Sequence, residues 1–338
     1  MSSDYLLEIE DLHTSIYTDD GVLRAVNGVN LRIPKGTIVG LVGESGCGKS
    51  MTARSIMRLL RHPARIDSGR ILFGGKDLTT LTDKEMREIS GRDISMIFQE
   101  PMTSLNPVLK VGFQVEETLR VHGLAASKEE AKRKGIEMFE RVGIPEAEKR
   151  YSAYPHELSG GLRQRVMIAM AMILKPKLLI ADEPTTALDV TIEAQILRLM
   201  RDLCKESGMS VLIITHNLGV VAEICEYVYV MYAGYIVEHA PIFELFDYPR
   251  HPYTKGLMAS IPRIGGNPEY LYTIPGVVPN LLHLPEGCPF SLRCSAAEEE
   301  CRKTLPELVR TDEDHFSRCV KACGEQSLEG RAYGAGRE

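Results

Sequence analysis

The segment Gly43-Glu-Ser-Gly-Cys-Gly-Lys49-Ser50 constrains this chain more than any other, because it matches G-x-x-x-x-G-K-[ST] at every fixed position. Thr37-Ile-Val-Gly-Leu-Val42 precedes it as an apolar strand. After Ser50 the pattern turns helical, with Ile56, Leu59 and Leu60 on one side. Strand, loop and helix are the context a phosphate loop needs: glycines let consecutive backbone N–H groups turn inward around phosphate oxygens, and the following helix adds its positive end. Gly43, Ser45, Gly46, Cys47, Gly48, Lys49, Ser50 and Met51 are therefore the nucleotide-phosphate candidates, with Lys49 reaching the β and γ phosphates and the Ser50 hydroxyl ligating Mg²⁺. Gly43, Gly46 and Gly48 have the wrong spacing for the dinucleotide fingerprint G-x-G-x-x-G.

Leu178-Leu-Ile-Ala-Asp182-Glu183 is a second apolar strand, and it ends in two carboxylates. Such a strand delivers Asp182 to a metal beside the loop, while Glu183, one step further, polarises an attacking water. A third strand, Val211-Leu-Ile-Ile-Thr215, runs into His216. Short, uniformly apolar strands are those of a parallel sheet covered on both faces, so the fold class is α/β. Residues 5 to 43 read as a series of short strands separated by turns. The stretch from about 107 to 170 is mainly helical, and Ser127-Lys-Glu-Glu130 forms a capping box ahead of Ile136, Phe139 and Val142.

Composition removes several other classes. The longest wholly apolar run, Val166 to Leu174, is far shorter than the roughly 20 residues that cross a bilayer, and Met1 to Glu10 lacks the charge pattern of a secretory signal. A cytosolic location is expected. The formal charge of −6 argues against broad nucleic-acid binding, which needs clustered Lys and Arg.

With these residues in place, the chain resembles the ABC-type ATPases. Leu158-Ser159-Gly160-Gly161-Leu162-Arg163-Gln164-Arg165 is similar to that family's signature motif, although Leu162 departs from its commonest form. Gln99 resembles the Q-loop glutamine, Ala187-Leu188-Asp189 the D-loop, and His216 the switch histidine. The resemblance implies a P-loop ABC core with an antiparallel β subdomain and a helical subdomain. It also implies Mg²⁺ at Ser50, Gln99 and Asp182, with Glu183, His216 and Gln99 in catalysis. Ser159, Gly160 and Gly161 would cap the γ-phosphate held by a second ATPase subunit, identical or paralogous, in a head-to-tail dimer. Tyr17 is a candidate for stacking on adenine, against the plainer reading of an exposed tyrosine.

Longer stretches, Gln99 to Pro107, Tyr154 to Leu158, His251-Pro-Tyr-Thr254 and Ile274-Pro-Gly276, are similar to oligopeptide and dipeptide importer ATPases. Implied partners are two transmembrane permeases and an external solute-binding protein, with the chain peripheral on the cytoplasmic face of the inner membrane. Nickel or another small solute is the alternative cargo, and a soluble ABC ATPase of DNA repair or translation is the alternative class. The expected division is an ATPase domain at 1–246, a C-terminal extension at 247–323 and a disordered tail at 324–338.

That extension holds Cys288, Cys294, Cys301 and Cys319, separated by 5, 6 and 17 residues, which is not the spacing of common zinc modules or ferredoxins. Four thiolates suit either iron–sulfur or zinc. The resemblance implies a [4Fe-4S] cluster, with zinc as the alternative, stapling a Pro-rich appendage that has little core of its own. Cys47, at a helix N-terminus, is expected to favour the thiolate and to react with alkylating agents. Cys204, Cys225 and Cys323 read as plain thiols.

Overall fold

The computed structural model describes residues 4–99, 104–186, 188–261 and 272–322. Two strands of 14 residues each, β1 (Tyr5–Thr18) and β2 (Gly21–Pro34), open the chain. They replace the series of short strands expected there. The polar residues that suggested turns are irregularities within continuous strands: the β1–β2 register slips between Ile9 and Leu12, where Asp11 has φ 47°, and Gly28 on β2 has φ 62°.

The loop strand β3 (Ile38–Val42) leads into helix α1 (Lys49–Ile56), and β4 (Ala64–Phe73) and β5 (Lys76–Asp77) complete an antiparallel sheet of order β2-β1-β4-β5. Helix α1 stops at Ile56, short of Leu59 and Leu60. Arg58 turns into the left-handed region at φ 51°, and Leu59 is exposed. Then come α2 (Asp83–Ile89) and β6 (Ile94–Ile97).

The helical segment consists of α3 (Val111–Val121), α4 (Lys128–Arg141), α5 (Ala147–Arg150) and α6 (Gly160–Met172). Ser127 caps α4 by accepting from the Glu130 N–H, as read from the sequence, but the Glu130 carboxylate reaches back to the N–H of Ala126 rather than to that of Ser127. The chain re-enters the main sheet as β7 (Leu178–Asp182), α7 (Val190–Ser207), β8 (Ser210–Thr215), α8 (Leu218–Ile224), β9 (Tyr227–Tyr232) and β10 (Tyr235–Pro241). Helices α9 (Ile242–Asp247), α10 (Pro252–Ala259) and α11 (Glu299–Lys303) precede the hairpin of β11 (Val309–Asp312) and β12 (His315–Ser317).

The main sheet has the order β11-β12-β10-β9-β3-β8-β7-β6, parallel from β9 to β6 and antiparallel beyond β9. β3, β7 and β8 are buried at every position, because both faces are covered. Alternate residues enter different cores. Val39, Leu41, Leu178, Ile180, Leu212 and Ile214 meet Leu7, Ile9, Leu31 and Ile33 of the antiparallel sheet, with Ile56 of α1. Ile38, Val42, Leu179, Ala181, Val211 and Ile213 meet the helical face, including Phe139, Val166 and Leu197. Each large aliphatic or aromatic side chain among them contributes about 1.5–3 kcal/mol by leaving water, enough to fix which face of each strand meets which layer. No described helix is long and apolar enough to cross a membrane.

Candidate functional site

Parallel pairing sets the site. Val42 lies opposite Thr215, Asp182 opposite Ile214 and Ala181 opposite Ile97, so the segments leaving β3, β6, β7 and β8 emerge together at the carboxyl end of the sheet. Gly43–Ser50, Gln99, Glu183 and His216 are those segments.

Within the loop, Gly46 and Gly48 have φ values of 78° and 111°, which only glycine adopts freely. A Cβ on Gly48 would also run into Met231 and the backbone of Ala25. Lys49 is almost wholly buried, and its Nζ donates to the carbonyls of Gly43 at 2.8 Å and Glu44 at 2.9 Å. Ser45 is exposed at the tip, and Met51 packs on the core beneath α1.

The Ser50 hydroxyl donates to Asp182 Oδ1 at 3.0 Å. Burial pushes the Asp182 carboxyl above its ordinary range against that hydrogen bond, and the neighbouring Glu183 charge adds to the rise. A buried carboxylate beside a hydroxyl is a fitting seat for a hard divalent cation, which would supply the missing positive charge.

Glu183 is held from three directions. Its Oε2 accepts from Gln99 Nε2 and from the Thr186 hydroxyl, both at 2.9 Å, and its Oε1 lies 3.2 Å from His216 Nδ1, which must carry the proton to bond there. Burial alone would raise its pKa, but the Thr186 and His216 interactions outweigh burial and hold the carboxyl below the ordinary range. Its backbone is left-handed at φ 47°, a strain of about 1–3 kcal/mol for a non-glycine residue. The Glu183 N–H donates to Ile214 O at 2.8 Å, which fixes that conformation. The result is an ionised, aimed carboxylate one residue from Asp182, suited to orienting water for attack on a phosphate held by the loop.

Ser159, Gly160 and Gly161 open α6, where Ser159 Oγ accepts from the Leu162 N–H at 3.4 Å. A Cβ on Gly161 would stand 3.0 Å from Ile192, so this turn packs against the start of α7. Ala187 and residues 100–103 lie outside the described residues; Asp189 is the N-cap of α7. Tyr17 lies on β1, where its hydroxyl donates to Asp67 Oδ1 at 2.8 Å and the Arg65 guanidinium sits 4.0 Å from its ring centre.

Cys47 corrects an expectation. Its side chain is fully buried, and burial pushes the thiol up further than the nearby Lys49 charge lowers it, so the thiolate is not favoured. Cys204 and Cys225 are buried thiols, pushed up by the same cause, Cys204 to about 11, while Cys323 lies outside the described residues.

Cys288, Cys294, Cys301 and Cys319 do come together. All four line one cavity with His251 and Phe290, and burial pushes Cys288 up to about 11, with the other three adding to the rise. As the side chains stand, however, no three or more His, Cys, Asp or Glu among the described residues are disposed to hold a metal ion.

Sequence reasoning missed Thr186, Glu44, Tyr253 and Arg293. Thr186 was within reach, since a hydroxyl three residues beyond Glu183 can fold back onto it. Arg293, 249 residues from the Glu44 that it pairs with, carried no local signal.

Residues 26–186 match the family model described as ABC transporter, and residues 237–301 match that described as the oligopeptide/dipeptide transporter C-terminal region. A Brucella abortus (strain 2308) sequence whose name assigns it to peptide import as an ATP-binding protein is 54% identical, covering 95% of this chain and 98% of its own. The oligopeptide transport ATP-binding protein OppD of Haemophilus influenzae is 50% identical, over 93% of this chain and 96% of its own. Among solved structures, a dimeric ATP-binding cassette in a post-hydrolysis state with ADP and Pi superposes with a TM-score of 0.64 at 27% identity, covering 70% of this chain and 98% of that one. A cassette fold that assembles Gly43–Ser50, the Asp182–Glu183 pair and His216 at one sheet end, and relatives of this identity along nearly the whole chain, place the protein in the ABC transporter ATPase family, in its oligopeptide/dipeptide branch.

Proposed function

We propose that this chain is the ATP-hydrolysing subunit of an importer for di- or oligopeptides. The observation that carries the ATPase reading is the convergence of Gln99, Thr186 and His216 on Glu183, one residue from the Ser50–Asp182 pair. The cargo reading is supported by the named relatives and by the matched C-terminal region.

In this reading Gly43–Ser50 wraps the phosphates through its N–H groups, and Lys49 moves from the loop carbonyls to the β and γ oxygens. Ser50, Asp182 and Gln99 would hold Mg²⁺, which would neutralise phosphate charge when bound. Glu183 orients a water whose oxygen attacks the γ phosphorus. The bond to the β–γ bridging oxygen breaks, ADP leaves with that electron pair, and the water proton passes to Glu183 or to the departing phosphate. His216 keeps Glu183 in line, and the open face of Tyr17 stacks on adenine.

Ser159, Gly160 and Gly161 complete the site of a second ATPase subunit in a head-to-tail dimer, and the helical segment transmits closure to two permeases served by an external solute-binding protein. The chain then sits on the cytoplasmic face of the membrane. Residues 1–246 form the ATPase domain, with 107–170 as its helical subdomain, and 247–323 form the C-terminal extension.

Cys288, Cys294, Cys301 and Cys319 are proposed to hold a [4Fe-4S] cluster, supported by the cavity they share and by the burial of Cys288 and Cys301, whose thiols a cationic centre would deprotonate. The cluster staples the extension and takes no part in hydrolysis. Iron and sulfide assays on anaerobically purified protein test it; zinc without iron, or no metal, overturns it.

The test of the motor is Glu183→Gln. It is expected to bind ATP as the parent does and to lose about a hundredfold or more in turnover. Undiminished hydrolysis would mean that Glu183 does not orient the attacking water, and uptake of labelled dipeptide into vesicles carrying the permeases tests the cargo.

A further inference from the structure

Two sequence stretches, His251-Pro-Tyr-Thr254 and Ile274-Pro-Gly276, have no part in the phosphate chemistry, yet the first reaches the loop through Tyr253 and the second through the Arg293 side chain that it holds. Glu44, the loop's second residue, is held at three points. Its N–H donates to the Tyr253 hydroxyl at 2.8 Å, its carbonyl accepts from Lys49, and its carboxylate receives Arg293 Nη1 at 2.7 Å and Nη2 at 3.0 Å.

Arg293 is saturated. Its Nε donates to Pro275 O at 3.0 Å, its Nη2 also to Ile274 O at 3.2 Å, and its Nη1 also to the Tyr232 hydroxyl at 3.5 Å. Its side chain is only 4% exposed, against 28% for Glu44. Gly276 has φ 80°, and a Cβ there would come within 3.1 Å of Arg293 Cγ, so this turn is shaped to the arginine. Tyr253 is fully buried, its ring 4.6 Å from that of Tyr232.

We propose that Tyr253 and Arg293 are positioning residues for ATP: the C-terminal segment fixes the first turn of the phosphate loop and neutralises the one carboxylate within it. Binding a polyanion to a loop that carries an uncompensated Glu44 charge would be opposed by repulsion in a partly buried site. The bidentate fork cancels that charge, and the Tyr253 hydroxyl holds the Glu44 N–H while the Glu44 carbonyl faces Lys49. Both residues act through Glu44 and neither bonds Glu183, so the effect falls on nucleotide affinity rather than on the hydrolytic step.

The test is steady-state ATPase kinetics of full-length variants at saturating Mg²⁺. Arg293→Gln is expected to raise KM for ATP about tenfold, the loss of one charge-assisted interaction, with kcat within about twofold of the parent. Added salt should shrink that penalty, because it screens the partly exposed carboxylate. The pair Glu44→Gln with Arg293→Gln should bind ATP better than Arg293→Gln alone, since the stranded charge is gone. A parental KM in Arg293→Gln, or a double variant no better than the single, overturns the proposal. Where Arg293→Gln fails to fold, Tyr253→Phe decides, because it keeps the buried ring and removes only the hydroxyl. Its KM should rise several-fold with kcat held; an unchanged KM overturns the proposal.

Discussion

Asp182 and Glu183 are adjacent in the chain, yet their surroundings move their carboxyls in opposite directions. Burial raises Asp182, and the hydrogen bonds of Thr186 and His216 lower Glu183. Glu183 therefore stays ionised to lower pH than a free glutamate, and the stability it contributes is lost as pH falls through its lowered value. Asp182 has the reverse sign: its ionised form costs stability above its raised value, a cost that a bound divalent cation would offset. Acidification should consequently weaken Mg²⁺·ATP binding as Asp182 takes up its proton. Titrating Mg²⁺·ATP binding in the Glu183→Gln background should show affinity falling with pH more steeply than ATP protonation explains, and Asp182→Asn should remove the excess. An excess slope that survives in Asp182→Asn would locate the proton elsewhere. Cys47 gives a second residue-scale prediction. A fully buried thiol with a raised pKa reacts only when the loop opens, so mass spectrometry should find it unmodified by iodoacetamide long after an exposed cysteine has reacted. Fast stoichiometric labelling of the native protein would contradict the buried placement.

Among the elements, the helical segment is packed around one aromatic wedge. The Tyr151 ring lies in the spaces left by Gly112 of α3 and Gly135 of α4, where a Cβ would collide with it, and its hydroxyl donates to the buried Glu116 at 3.1 Å. Gly112→Ala should therefore destabilise the protein by about 1–3 kcal/mol through overpacking, although alanine is the better helix former by about 1 kcal/mol. Denaturant unfolding that shows a gain in stability would mean the ring has room to move. None of this was legible in the sequence, where a glycine inside a helix carries no sign of the ring that fills its place. β3, β7 and β8 were legible because strands covered on both faces need unbroken apolar runs, and Gly43–Ser50 was legible because its chemistry is contiguous. The length of β1 and β2 was not, since bulges at Asp11 and Gly28 look locally like turns. The grip of Tyr253 and Arg293 on Glu44 was invisible for a different reason: the sheet, not the chain, makes them neighbours.

At the scale of the whole molecule, the C-terminal hairpin belongs to the central sheet. β12 pairs with β10 at Glu238 and His239, and the fully buried Glu238 accepts from the N–H groups of Arg250 and His251 at 2.5 and 2.9 Å and bonds His315 Nε2 at 2.7 Å. One carboxylate thus joins β10, the start of α10 and the hairpin. Ending the chain before β11 removes His315 and exposes the β10 edge together, leaving a carboxylate in an apolar setting with only two amide donors. Breaking a buried pair in this way costs about 3–5 kcal/mol, a large share of the stability of most domains. A chain shortened to residue 305 should accordingly melt lower and aggregate through the bared strand rather than survive as a working ATPase core. Point variants separate the two causes. His315→Ala keeps the hairpin and should lower thermal stability alone, whereas the shortened chain should also self-associate in sedimentation. A shortened chain that stays monodisperse and melts with the parent would show that the hairpin only rests on the sheet, and that the core closes without it.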